Sequence, residues 1–144
     1  MTIETLRKIL TKFPRGIFSL LTLILILWLT LSPKPLGEKP PKLFEGADKI
    51  VHGLMFGFFA VMMIFDWQRK NGWRAAGFKI IICSALLSAM TGIGIEFCQD
   101  AMGKGRGYEN ADIFADTIGA FLFAFLWIPF QNKWLKGNSV NKDD

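Results

Sequence analysis

The chain has 144 residues, a length for one domain rather than two. Hydrophobic residues make up 51% of it, in long runs that charges interrupt only at the ends, which excludes a soluble domain with polar faces. The net charge of +5 comes from lysines and arginines in short segments between those runs, a pattern of membrane topology and not of a nucleic-acid surface.

Residues 1–15 form a basic segment, with Arg7, Lys8, Lys12 and Arg15 against Glu4. Ile3, Leu6, Ile9 and Leu10 fall on one helical face, as in a short interfacial helix. The first apolar run, Gly16 to Ser32, is nearly pure Leu, Ile and Phe. At about 1.5 Å per residue it just reaches across a hydrocarbon layer of about 30 Å. A basic segment before such a run also describes a secretory signal peptide. Ser32-Pro33-Lys34-Pro35 follows instead of a small-residue cleavage site, so an uncleaved first span is expected.

Pro33 to Ala47 carries Pro33, Pro35, Pro40 and Pro41 and is expected to be an extended polar loop. The second span is expected from Ala47 to Phe65, and Asp66 to Arg74 as a basic loop. The third runs from Ala75 to Phe97, with Lys79 near enough to its start to snorkel. Gln99 to Ala111 is a polar loop containing Gly103, Gly105 and Gly107, and the fourth span is Asp112 to Phe130. Cys83 and Cys98 share the third span about 22 Å apart, so they cannot pair with each other. The fold expected is an all-α membrane bundle of four antiparallel, up-and-down helices over residues 16–130, with a polar tail at 131–144. Eleven lysines and arginines fall on the side of the termini and six on the side of the first and third loops. The positive-inside rule therefore predicts cytoplasmic termini.

The ionisable residues of the spans collect at the other side. Asp48 and His52 are four apart at the start of the second span. Glu96 and Gln99 are three apart at the end of the third, and Asp112 and Asp116 four apart at the start of the fourth. These spacings put each pair on one helix face, and an antiparallel bundle brings all three ends to one level. Arg106, on the connecting loop, is within reach of them. Charges at membrane depth are costly, about 2.5 kcal/mol or more near the centre, and usually face the bundle interior, a partner charge or water. Neighbouring carboxylates there cannot all ionise without a compensating cation. The stripes Ser84, Ser88, Gly92 and Gly119, Ala120, Ala124 read as seams where the third and fourth helices pack closely.

Each residue also has a structural reading. Asp48 and Asp112 fit N-terminal helix acids, and His52 an interfacial hydrogen-bonder. Glu96 and Asp116 fit a polar pair tying two helices, and Arg106 a loop cation on lipid phosphate. Convergence of the whole set is harder to explain structurally than any single member.

The same residues carry a resemblance. Ser32-Pro33 leaving the first span, Asp48-Lys49-Ile50-Val51-His52, Glu96-x-x-Gln99, Arg106, Asp112 and Thr117-Ile118-Gly119 resemble the VanZ-like family of small bacterial membrane proteins, over roughly residues 30 to 125. Family members often have Asn where this chain has Asp116, so the position carries over but not its charge. The resemblance implies a bacterial inner-membrane protein with a role like low-level teicoplanin resistance, and it assigns no reaction.

Three functions fit. The first is binding of a lipid headgroup at the outer site: a cell-wall lipid precursor or a lipid-inserting glycopeptide antibiotic, with Arg106 and the Gly103–Gly107 stretch on phosphate. The second is an enzyme in which carboxylates and His52 hold a divalent cation or act as acid and base. Oxygen-rich ligation suits Mg²⁺, Ca²⁺ or Mn²⁺ better than Zn²⁺. The third is a small proton-coupled transporter, for which four short spans call for an oligomer.

Overall fold

The structure, a computed structural model, describes residues 2–32, 37, 44–103 and 109–136. Five α-helices and no strand occur among them: α1 Ile3–Lys12, α2 Ile17–Leu31, α3 Ala47–Lys70, α4 Phe78–Met102 and α5 Asn110–Lys136. This is an all-α membrane bundle. α3, α4 and α5 are each long and apolar enough to cross a membrane. α2 has 15 residues, about 22 Å. Together with α1, to which it is bent by 71°, it makes a fourth candidate span. The bend falls at Phe13 to Gly16, where Pro14 lacks an N–H and Gly16 takes a left-handed φ of 72°. Arg106 with its glycine-rich loop, most of the proline-rich first loop and residues 137–144 lie outside the described residues.

Three helix ends overrun expectation, among them that of α4, which continues past Phe97 to Met102. α3 does not stop at Phe65 but continues to Lys70, so half of the expected basic loop is helix. Its charges there are neutralised within the protein. Asp66 Oδ1 accepts from Arg69 Nε and Nη2 at 3.2 and 2.6 Å, and Asp66 Oδ2 accepts from the Ser19 N–H and hydroxyl at 2.9 and 2.7 Å. Arg69 Nη1 donates to the carbonyls of Leu10 and Phe13, and Nη2 to that of Pro14. This fully buried arginine therefore clamps the bend between α1 and α2. α5 likewise passes Phe130 and runs on to Lys136, six residues into the expected tail. Gln131 is buried there, accepting from Gln68 and from the Ala76 N–H and donating to the Ala76 carbonyl.

α3, α4 and α5 pack around small residues: Ala60, Ala76, Ala85, Ala89, Ala120 and Ala124, with Ile64 and Ile81. Small side chains let helix backbones approach in lipid, where hydrophobic exclusion supplies little between helices. A second cluster, Ile26, Phe56, Phe59 and Ile95, seats α2. The large apolar side chains mostly point outward, among them Leu21, Leu87, Phe114, Ile118 and Leu126. α3 packs most extensively on α5. Gly119 therefore meets Gly53 and Gly57 of α3, not α4 as the sequence suggested, while Gly92 of α4 does face α5, at Asp116.

Candidate functional site

The start of α3, the end of α4 and the start of α5 share one end of the bundle, and their polar side chains form two tiers. In the deeper tier His52 Nδ1 lies 3.1 Å from Asp116 Oδ1, with the side chains 14% and 1% exposed. A ring nitrogen of His52 and one carboxylate oxygen each of Glu96 and Asp112 lie within 4.8 Å of one another. Glu96 is 1% exposed, and its Oε2 accepts from the Glu109 N–H at 3.2 Å. Gly92 makes room for this arrangement: a Cβ there would stand 2.7 Å from Asp116 Oδ2.

The outer tier is organised by Lys49. Its ammonium donates to Asp48 at 2.7 Å, Glu109 at 2.6 Å and Asp112 at 3.0 Å. Asp112, with its side chain 15% exposed, belongs to both tiers. Asp48 and Glu109 stand at the rim, each with its side chain 58% exposed.

The structure thus brings together His52, Glu96, Asp112 and Asp116, with Asp48 beside them. Gln99 does not join them. Its side-chain amide donates to the Thr30 carbonyl of α2 at 2.8 Å. Three residues turn a helix by roughly 300°, so Gln99 sits roughly 60° away from Glu96, enough to face a different neighbour. Lys49 and Glu109 were not singled out from sequence. Lys49 follows Asp48 directly and enters the sequence reading only inside the Asp48–His52 motif and among the basic residues of the first loop, with no place in the site. Glu109 stands just before α5, where an acid is favoured by the helix dipole, and that position was the available signal.

Electrostatically the site is lopsided. Among the described residues, Asp48, Glu96, Glu109, Asp112 and Asp116 face one lysine and one histidine. Glu96 Oε1 and Asp116 Oδ2 are buried and have no hydrogen-bond partner among the described residues. Buried carboxylate oxygens are normally hydrogen-bonded, because desolvation without a partner is costly. Chemically, the deeper tier offers an imidazole with carboxylates beside it, Asp112 being the partly exposed one of them.

The family model described as VanZ/LLP1 matches residues 3–132, nearly the whole chain, and the chain belongs to that family. No significant match occurs among curated proteins or solved structures.

Proposed function

We propose that this VanZ/LLP1 family member binds the phosphate-bearing headgroup of a lipid, such as a lipid-linked cell-wall precursor, at the polar end of its bundle. The same site is the place to engage a lipid-inserting glycopeptide, in keeping with a teicoplanin-resistance-like role. The protein resides in the bacterial cytoplasmic membrane with both termini inside, so that the site faces outward. One observation carries this reading: His52, Glu96, Asp112 and Asp116 gather from three helices at one level of a bundle whose outer surface is largely apolar. Ionisable groups at such depth are expensive and are retained where they meet a ligand, an ion or each other. A lipid headgroup travels at that level, with its chains against the exposed leucines and phenylalanines.

The test is titration of purified protein in nanodiscs with a polyprenyl diphosphate and, separately, with teicoplanin. Saturable binding that is lost in folded His52→Ala and Asp112→Asn supports the reading. Absence of saturable binding to either probe, or equal binding by both variants, refutes it.

The buried His52–Asp116 pair favours a second reading, an enzyme. A carboxylate at 3.1 Å orients an imidazole as acid–base catalysts require. Release of inorganic phosphate from the polyprenyl diphosphate, abolished in His52→Ala, distinguishes turnover from binding.

A further inference from the structure

We propose that the deeper tier is a divalent-cation site, with His52, Glu96 and Asp112 as ligands and Asp116 as the carboxylate that orients the imidazole. This inference rests on the headgroup reading and deepens it, because it says how an acidic site holds an anionic ligand.

The two tiers show the difference a cation makes. Two trios of potential ligand groups lie at this end, each with its atoms within 4.8 Å of one another: Asp48, Glu109 and Asp112, and His52, Glu96 and Asp112. The first trio already surrounds a positive charge, the Lys49 ammonium, at 2.6 to 3.0 Å. The second is deeper, and no lysine or arginine among the described residues pairs with Glu96 or Asp116. Two oxygens there, Glu96 Oε1 and Asp116 Oδ2, lack any partner among the described residues although both side chains are 1% exposed. An acidic cluster alone says little. A 99%-buried carboxylate with an unused oxygen, beside an imidazole and a second carboxylate, has the donors of a cation site.

The hydrogen bonding of His52 fits ligation. With the proton assigned to Nδ1, the ring donates to Asp116 Oδ1 and Nε2 keeps its lone pair. Metal-ligating histidines commonly donate their other N–H to a carboxylate, which fixes the tautomer and raises ligand basicity. A set of one imidazole and two carboxylates, with water completing the shell, suits Mn²⁺, Mg²⁺ or Ca²⁺. Such ions are often held by one or two carboxylates while their remaining positions take phosphate oxygens. The cation would join the carboxylates to the headgroup phosphate, which these acids would otherwise repel.

The experiment is titration of the purified full-length protein in detergent with Mn²⁺, followed by the loss of the free-ion electron paramagnetic resonance signal and by calorimetry, with Ca²⁺ and Mg²⁺ as competitors. One Mn²⁺ per chain is expected, and melting should rise with Mn²⁺ concentration as for any ligand of the folded state. Glu96→Gln and Asp112→Asn should each weaken binding tenfold or more. Asp116→Asn should weaken it by the roughly 10- to 100-fold typical of an orienting partner. Asp100→Asn, which alters an exposed acid at the same end, should bind as the unaltered protein does. Failure of all three ions to bind at millimolar concentration overturns the proposal. Binding unaffected by Glu96→Gln and Asp112→Asn also overturns it. The two proposals fail separately. Polyprenyl diphosphate binding that is indifferent to chelator and to Mn²⁺ overturns the cation site alone. Mn²⁺ binding without headgroup binding upholds the cation site and refutes the headgroup reading.

Discussion

Replacing Gly119 by alanine adds one methyl group where α5 lies tight against the backbone of α3. A Cβ on Gly119 would come within 2.5 Å of the Cα and carbonyl carbon of Gly53, and closer still to the Gly53 oxygen. Those atoms are backbone and have no rotamer to turn, so the helices must move. Restoring ordinary van der Waals contact needs α3 and α5 to part by about 1.4 Å, at the upper end of the overpacking range of about 1–3 kcal/mol. For a chain of this size about 1 kcal/mol shifts melting by roughly 2–4 °C, so a fall of about 5–10 °C is expected. The effect should reach the polar site as well. His52 adjoins Gly53, Asp116 lies one turn before Gly119, and a separation of about 1.4 Å stretches their 3.1 Å contact to about 4.5 Å, outside hydrogen-bond range. Gly94→Ala makes the same chemical change on an exposed face of α4, with nothing within 4 Å of the added carbon. The assay is thermal unfolding in detergent of both variants beside the parent, with Mn²⁺ binding measured on each. Equal melting of the two variants, or full Mn²⁺ affinity in Gly119→Ala, shows that α3 and α5 do not meet as described.

Arg69→Ala should be among the most destabilising changes, by about 3–5 kcal/mol, because it strands the buried Asp66 carboxylate. It should also speed hydrogen exchange in α1, which loses its anchors at Leu10, Phe13 and Pro14; unchanged α1 protection counts against the clamp. Glu96→Gln should keep or raise the melting temperature in the presence of chelator, since an amide removes one of several like charges, and should lose headgroup binding when chelator is absent. A large drop in melting instead marks Glu96 as a structural member of the network. Topology is testable in cells with single cysteines at position 8 and position 45 after Cys83 and Cys98 are replaced, both positions being exposed. Labelling from outside at 45 and not at 8 is expected; the reverse inverts the orientation.

Much of the bundle was legible because lipid imposes a crude rule. A helix facing hydrocarbon must be apolar for some twenty residues, and the runs that became α3, α4 and α5 are. The same rule misplaced their ends. Asp66 and Arg69 look like the end of a span when each residue is weighed alone. They cancel within the protein, and Ser19, which completes Asp66, lies 47 residues away with no local signature. Gln131 shows the same effect at the end of α5, where three hydrogen bonds hold an amide inside the bundle. Helical periodicity registered His52, Glu96, Asp112 and Asp116 correctly because each stands on a regular helix near a shared end. It failed for Gln99, where a 60° offset selects another neighbour. It also failed for Gly119, because spacing along α5 does not say which helix the stripe faces. Lys49 was missed because topology counting treats a lysine as a loop charge, whereas this one reaches three carboxylates.

The two ends of α3 give opposite answers to the problem of charge in a membrane, and the contrast separates structure from function. At one end Arg69 uses all five of its N–H donors, on Asp66 and on three carbonyls of the α1–α2 bend. Asp66 in turn receives four donors, two on each oxygen. Within the Arg69–Asp66 network every group is matched, because a partly matched one is worse than an apolar core. Nearby, Arg7 Nε and Nη2 are buried without a hydrogen-bond partner among the described residues, the guanidinium lying over the Trp73 and Trp134 rings. At the other end His52 reaches one oxygen of Asp116 and the Glu109 N–H one oxygen of Glu96, and the second oxygen of each carboxylate meets no donor among the described residues. α3 takes part in both, with α1 and α2 at the first end and α4 and α5 at the second. If Glu96 and Asp116 served only to tie helices together, a neutral amide or a second arginine would do so at lower cost. Buried carboxylates left half-matched beside a histidine and a partly exposed Asp112 are suited to a group that arrives from outside the chain.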